Sequence, residues 1–205
     1  MTIDSHSSVA VIVLTGGPGG GKSALLDHCA TDAALAERII VLEEAVRAMR
    51  GCGLEPRSPE FQCALVAKQI AAEDALKRTM VGRRKQVLLT HRGTLDPCAF
   101  WESFGHLRES FFEMTRSTLQ GHYRRYDLVL HLESAAVRLP EAYLRYPLAH
   151  RPESAADAAR LDELLVELWS NHPRYIRIAA TSEIDMKLAR ALRIIHDFLA
   201  FLELD

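Results

Sequence analysis

Residues 16–23 read Gly-Gly-Pro-Gly-Gly-Gly-Lys-Ser and stand just behind the apolar run Val9–Leu14. Glycine at these places lets successive backbone N–H groups turn inward around an anion, because no Cβ stands in the way. The spacing fits G-x4-G-K-[ST]. The run before it is continuous and β-branched, as in a strand buried on both faces. The residues from Lys22 to Ala33 carry a helical pattern. A helix starting there points its positive end at the same anion. Lys22 adds a point charge on the β- and γ-phosphates of a nucleotide, and the Ser23 hydroxyl is a hard ligand for Mg2+. The nucleotide is therefore expected on Gly16, Gly17, Pro18, Gly19, Gly20, Gly21, Lys22, Ser23 and Ala24. The bland alternative, a glycine-rich turn that binds nothing, explains neither the strand before it nor the helix after it.

The rest of the chain alternates short apolar runs with helical stretches. Strands are expected at Arg38–Leu42, Gln86–Thr90, Asp127–Leu132 and Tyr175–Ala179. A short helix is expected over Glu44–Arg50, ended by Gly51 and Gly53. Ser58-Pro59-Glu60 opens a helix reaching about Met80, with an N-cap, a proline at the first helical position and an early acid. Asp96-Pro97 caps another. A last helix, capped by Thr181 or Ser182, carries Ile184, Leu188, Ala191, Leu192, Ile195 and Leu199 at helical spacing and reaches Leu204. Strands separated by helices predict a parallel sheet covered on both faces. Segment 133–160 breaks the rhythm with three prolines and Arg138, Arg145 and Arg151, and reads as an excursion on the sheet.

Composition narrows the function classes. The 205 residues are 48% hydrophobic and 25% charged, which suits one globular domain over residues 1–205. The net charge is −2, so there is no bulk electrostatic drive toward nucleic acid or an anionic membrane. Arg83-Arg84-Lys85 reads first as a solvated helix end, and a lipid-headgroup or nucleic-acid contact is its alternative. Cys29, Cys52, Cys63 and Cys98 show no zinc spacing. Val9–Leu14 is too short for a signal core or a membrane span. A reduced, cytoplasmic compartment is expected. No NKxD guanine-reading motif is present, which weakens a Ras-like GTPase; the expected nucleotide is ATP first and GTP second.

Several stretches follow the order of one known family. VIVLTGGPGGGKSALL opens the series, followed by Glu44-Ala45-Val46-Arg47 and Arg92-Gly93-Thr94-Leu95-Asp96. Next come the strand from Tyr126 to Leu132 and the stretch from Arg151 through Glu153, Leu161-Asp162 and Trp169 to His172-Pro173. In this series the chain resembles the NadR-like AAA domain family, P-loop domains related to ribosylnicotinamide kinase and, more distantly, to thymidylate-kinase-like enzymes. The resemblance implies a three-layer α/β/α P-loop NTPase fold with five parallel strands in the order 2-3-1-4-5. It also implies a lid over about 133–160 and phosphoryl transfer to a small-molecule acceptor that the sequence does not identify. A nucleotide-dependent binding or regulatory protein is the other class left open.

The resemblance implies that Arg92 grips an acceptor phosphate; alternatively it is a surface arginine. Glu44 orients an acceptor hydroxyl or a Mg2+-bound water, or it is a first-turn acid favoured by the helix dipole, paired with Arg47. Arg145 and Arg151 supply lid charge to the migrating phosphoryl group, or belong to a solvated loop. Asp96 is first an N-cap and second a metal candidate beside Ser23. Glu133 is a further acid at a strand end. Phe100, Trp101, Phe104, Phe111 and Phe112 read as helix packing rather than as a base platform. One departure stands out. The family's strand-three aspartate is His91 here, and imidazole is a poor partner for Mg2+ and its waters.

Overall fold

The computed structural model describes residues 9–49, 51–80, 87–145 and 153–204. Strand β1 (Ala10–Thr15) is central. It pairs in parallel with β3 (Val87–His91) on one side and β4 (Leu128–Leu132) on the other. β2 (Ile39–Leu42) and β5 (Tyr175–Ile178) form the two edges, so the order is β2-β3-β1-β4-β5, all parallel. The helices are α1 (Lys22–Thr31), α2 (Ala33–Ala36), α3 (Pro59–Met80), α4 (Asp96–Ser103), α5 (Arg108–Thr115), α6 (Leu119–Tyr123), α7 (Ala135–Arg138), α8 (Pro140–Arg145), α9 (Ala155–Trp169) and α10 (Ile184–Leu204).

The period of two along each strand divides the core. Ile12, Leu14, Leu89 and Leu130 face one way and pack on Leu25 of α1 and Leu188, Ala191 and Ile195 of α10. Val11, Val13, Leu88 and Val129 face the other and pack on Val66 of α3, Trp101 of α4 and Leu161, Leu165 and Trp169 of α9. This is the three-layer α/β/α arrangement of a P-loop NTPase. Every residue of β1 is buried, which is why its sequence shows no polar alternation.

Several boundaries differ from expectation, each for a local reason. The first helix stops at Thr31 because Asp32 turns extended, and its side chain accepts from Leu35 N at 3.0 Å to start α2. Residues Ala45–Met49 form a 3-10 turn rather than an α-helix. β3 runs on to His91, and Gln86 lies outside the described residues. Asp127 precedes β4 and bonds its carboxylate to the amide of Val11 at 2.8 Å. The stretch behind β3 breaks into α4, α5 and α6, with Gly105 (φ 91°) and Arg116 (φ 50°) in left-handed turns between them. Segment 133–160 holds α7, α8 and the start of α9, which Ser154 caps by accepting from Asp157 N at 3.1 Å. Among the described residues no helix is long and apolar enough to cross a membrane.

Candidate functional site

The glycine-rich loop leaves the carboxyl end of β1 and enters α1. It lies directly on the end of β4: a Cβ on Gly16 or Gly20 would fall 2.2 or 2.3 Å from the Leu132 carbonyl oxygen. Gly16 has φ 121°, which a side chain would strain further. Gly21 caps α1 without a side-chain hydrogen bond, so the first amides of that helix are left for a ligand. Lys22 is only 6% exposed, and its Nζ donates to the carbonyls of Gly16 (2.6 Å) and Gly17 (2.9 Å). Burial, reinforced by the charge of Arg92, lowers this ammonium to about 7.

The back of the loop is braced by residues that spacing did not single out. Asp162 of α9 is fully buried and its Oδ1 accepts from Gly17 N (2.7 Å) and Ser134 N (2.9 Å). Its Oδ2 accepts from His131 Nε2 at 3.1 Å. The Ser134 hydroxyl donates to the Pro18 carbonyl. Lys187 of α10 donates to the carbonyls of Gly20 (2.7 Å) and Glu133 (2.5 Å). The Glu133 carboxylate is occupied by Arg138, Arg177 and the amide of Ala180, so it braces the end of β4.

Facing the loop, the end of β3 brings three groups together. His91 Nε2 lies 3.5 Å from Ser23 Oγ, and His91 Nδ1 lies 3.8 Å from Glu44 Oε1. Burial first, then the Lys22 charge, lower the imidazole to about 3, so it is uncharged. Glu44 Oε1 accepts from Arg92 Nε at 2.7 Å. Burial alone would raise Glu44, but Arg92 outweighs it and holds the carboxyl at about 2. Arg92 sits at φ 71°, an uncommon backbone for a non-glycine residue, and Gly93 behind it admits no Cβ because Trp169 and Val13 stand within 3 Å.

Arg47 and Asp96 both take partners other than the expected ones. Arg47 bonds to Glu43 at 3.5 Å, not to Glu44, because the backbone at 44 is not yet helical and Glu44 turns to Arg92. Asp96 is not the N-cap of α4, a place Leu95 takes. Its buried carboxylate instead accepts from Thr15 Oγ1 (3.1 Å) and Trp169 Nε1 (2.9 Å), with Arg92 Nη1 at 3.5 Å. These partners hold Asp96 beneath the loop, outside the lining that Ser23, Glu44 and His91 share.

That lining belongs to a cleft of ≈ 1540 Å³ running from Gly19–Ala24 past Glu44, His91 and Arg92 to a wall with Phe61, Phe100 and Phe104. The aromatic cluster is thus divided: Trp101 and Phe111 are buried packing, while Phe100 and Phe104 face the cleft. Arg160 of α9 joins the lining, whereas Arg145 is exposed at the end of α8 and does not. Arg151 and Arg83-Arg84-Lys85 lie outside the described residues. Among the described residues no group of three His, Cys, Asp or Glu side chains is placed to hold a metal ion by itself.

Over residues 11–184 the sequence matches the model of a protein family described as an AAA domain. No curated protein matches the chain.

Proposed function

We propose that this chain, which belongs to the AAA-domain family, is a NadR-like kinase that passes the γ-phosphoryl group of ATP to a small molecule. GTP is the second choice of donor. The observation that carries the reading is the cleft. It continues from the loop's free amides into a walled space beside Glu44 and Arg92, which a protein that only bound nucleotide would not need. The free thiols of Cys29, Cys52, Cys63 and Cys98 suit a cytoplasmic enzyme.

The chain's residues divide the work as follows. Lys22 exchanges the Gly16 and Gly17 carbonyls for the β- and γ-phosphates, with the uncapped end of α1 behind it. Mg2+, when bound with the nucleotide, neutralises charge developing on the phosphates. The donor set suits such a nucleotide-borne ion: the Ser23 hydroxyl is a hard ligand, and Glu44 supplies a carboxylate 3.8 Å from His91. Neutral His91 offers a ring nitrogen to a water rather than a charge to the metal. Glu44, held at about 2, is too weak a base to take a proton early and instead orients the acceptor hydroxyl. Phosphoryl transfer through a loose transition state asks mainly for that positioning. Segment 133–160 serves as a lid of the same single domain, bringing Arg145 and Arg151 toward the phosphates on closure.

His91 favours one second reading, a nucleotide-dependent regulator with little turnover. ADP release measured with and without candidate acceptors separates the two. Acceptor-stimulated release supports the kinase; nucleotide affinity with no stimulation by any acceptor supports the regulator.

A further inference from the structure

We infer that the half of the cleft remote from the phosphate loop recognises a phosphorylated heterocycle: a planar ring with an N–H donor on its edge, joined to a phosphate group. This rests on the kinase reading and names the class of its acceptor.

Size comes first. The cleft of ≈ 1540 Å³ exceeds the roughly 300–1000 Å³ of a single small-molecule site, so donor and acceptor fit side by side. Its remote wall then offers three kinds of contact. Gln62 of α3 is 3% exposed, and its Nε2 donates to the Pro56 carbonyl at 2.8 Å. That bond fixes which end of the amide is nitrogen. Gln62 Oε1 is left buried, on the cleft lining, with no partner. A buried acceptor oxygen without a donor is costly, and a ring N–H arriving from the cleft removes the cost.

The ring has a surface to lie on. Phe100 and Phe104 line the same wall, tilted at 50° with centroids 6.4 Å apart. Arg57, next in sequence to the Pro56 that Gln62 holds, places its guanidinium 5.7 Å from the Phe104 centroid. It makes no ion pair among the described residues, and neither does Arg160 of α9, although both line the cleft. Arg92 differs, since Glu44 and Asp96 already engage it. Two guanidinium groups on the cleft lining, neither paired with a carboxylate among the described residues, match the charge of a phosphate.

The test is calorimetric titration of AMP, GMP, CMP and UMP, and of the four parent nucleosides, into protein saturated with a non-hydrolysable ATP analogue. Arg57→Ala, Gln62→Leu and Lys22→Ala are titrated alongside; Arg57 is exposed, so its variant keeps the fold. At least one monophosphate is expected to bind at least tenfold tighter than its nucleoside. Arg57→Ala abolishes that advantage without changing affinity for the ATP analogue. Gln62→Leu weakens monophosphate and nucleoside alike, and Lys22→Ala loses the ATP analogue but keeps the monophosphate. The inference is overturned if no monophosphate binds, if phosphate adds nothing, or if Arg57→Ala leaves its advantage intact. Failure of the wild type to bind the ATP analogue would instead count against the kinase reading, with the monophosphate titrations still judging this wall.

Discussion

The amide of Gly17 donates to Asp162 Oδ1 at 2.7 Å, so one N–H of the phosphate loop is already bonded to a carboxylate 145 residues away. Gly17 also leaves no room for a Cβ, which would fall 2.8 Å from the Ala158 carbonyl oxygen. Helix α9 therefore touches the loop at both points. Asp162→Ala strands three donors, on Gly17, Ser134 and His131. It is expected to destabilise the fold by about 3–5 kcal/mol, as when one partner of a buried pair is removed. Asp162→Asn keeps an oxygen for both amides and should lose roughly 1–2 kcal/mol. Urea denaturation of the three proteins checks this, and equal losses for Ala and Asn would rule out the amide bonds as the cause.

Lys22→Ala should weaken ATP binding by about 2–5 kcal/mol while the protein stays folded. The free site also makes a prediction about protons. Lys22 lies at about 7 before nucleotide binds, and phosphate raises it, because an anion favours the charged amine. Binding at pH 8 should therefore take up a proton, and affinity should fall as pH rises above about 7. Calorimetry in buffers of different ionisation enthalpy measures the uptake. Proton release at pH 8 would contradict the buried, depressed ammonium.

His91 stands 3.5 Å from Ser23, uncharged and beside Glu44. Replacing it by aspartate puts a carboxylate where metal-bound water needs one. His91→Asp should tighten Mg2+ binding and raise Mg2+-dependent turnover above wild type, and His91→Ala should not. Equal, robust rates in all three proteins would place His91 outside the metal's reach.

The buried histidines set an acid limit. His91 is lowered to about 3 and His122 to about 4, both chiefly by burial. Both folded values lie below the ordinary 6.5, so on acidification the unfolded chain takes protons first. The stability they permit is complete above pH 6.5 and is lost as pH falls toward those folded values. At pH 5 each costs about 2 kcal/mol. Urea midpoints at pH 7 and pH 5 should drop accordingly, and His122→Asn should recover about half of the drop. A midpoint unchanged between the two pH values would refute the neutral, buried state of these rings.

The sheet was legible because each strand is a short apolar run, and the phosphate loop because its spacing leaves few other uses for so many glycines. Strand order came from the resemblance, since periodicity does not order strands. Asp162 entered only as part of the resemblance, with no role assigned, and Lys187 was not singled out, although each is a charge set inside an apolar helical stripe. Asp162 lies among Ala158, Leu161 and Leu165, and Lys187 stands between Ile184 and Leu188. A charge in such a stripe signals a buried partner, but here the partners are backbone groups of distant residues. Phe100 and Trp101 are neighbours with opposite fates, set by which side of α4 meets the sheet. Glu44 turns to Arg92 because it lies just ahead of the 3-10 turn and not inside a helix, which composition does not report.

Lys187 joins Gly20 to Glu133 through its single ammonium, from the first turn of the final helix. The side chain that holds the Gly20 carbonyl is added 167 residues after that glycine. The eight residues of the motif are therefore complete as sequence well before this brace exists. A loop whose chemistry is written in one short stretch thus takes part of its shape from a helix made much later, and a chain halted between the two would carry the motif without the brace.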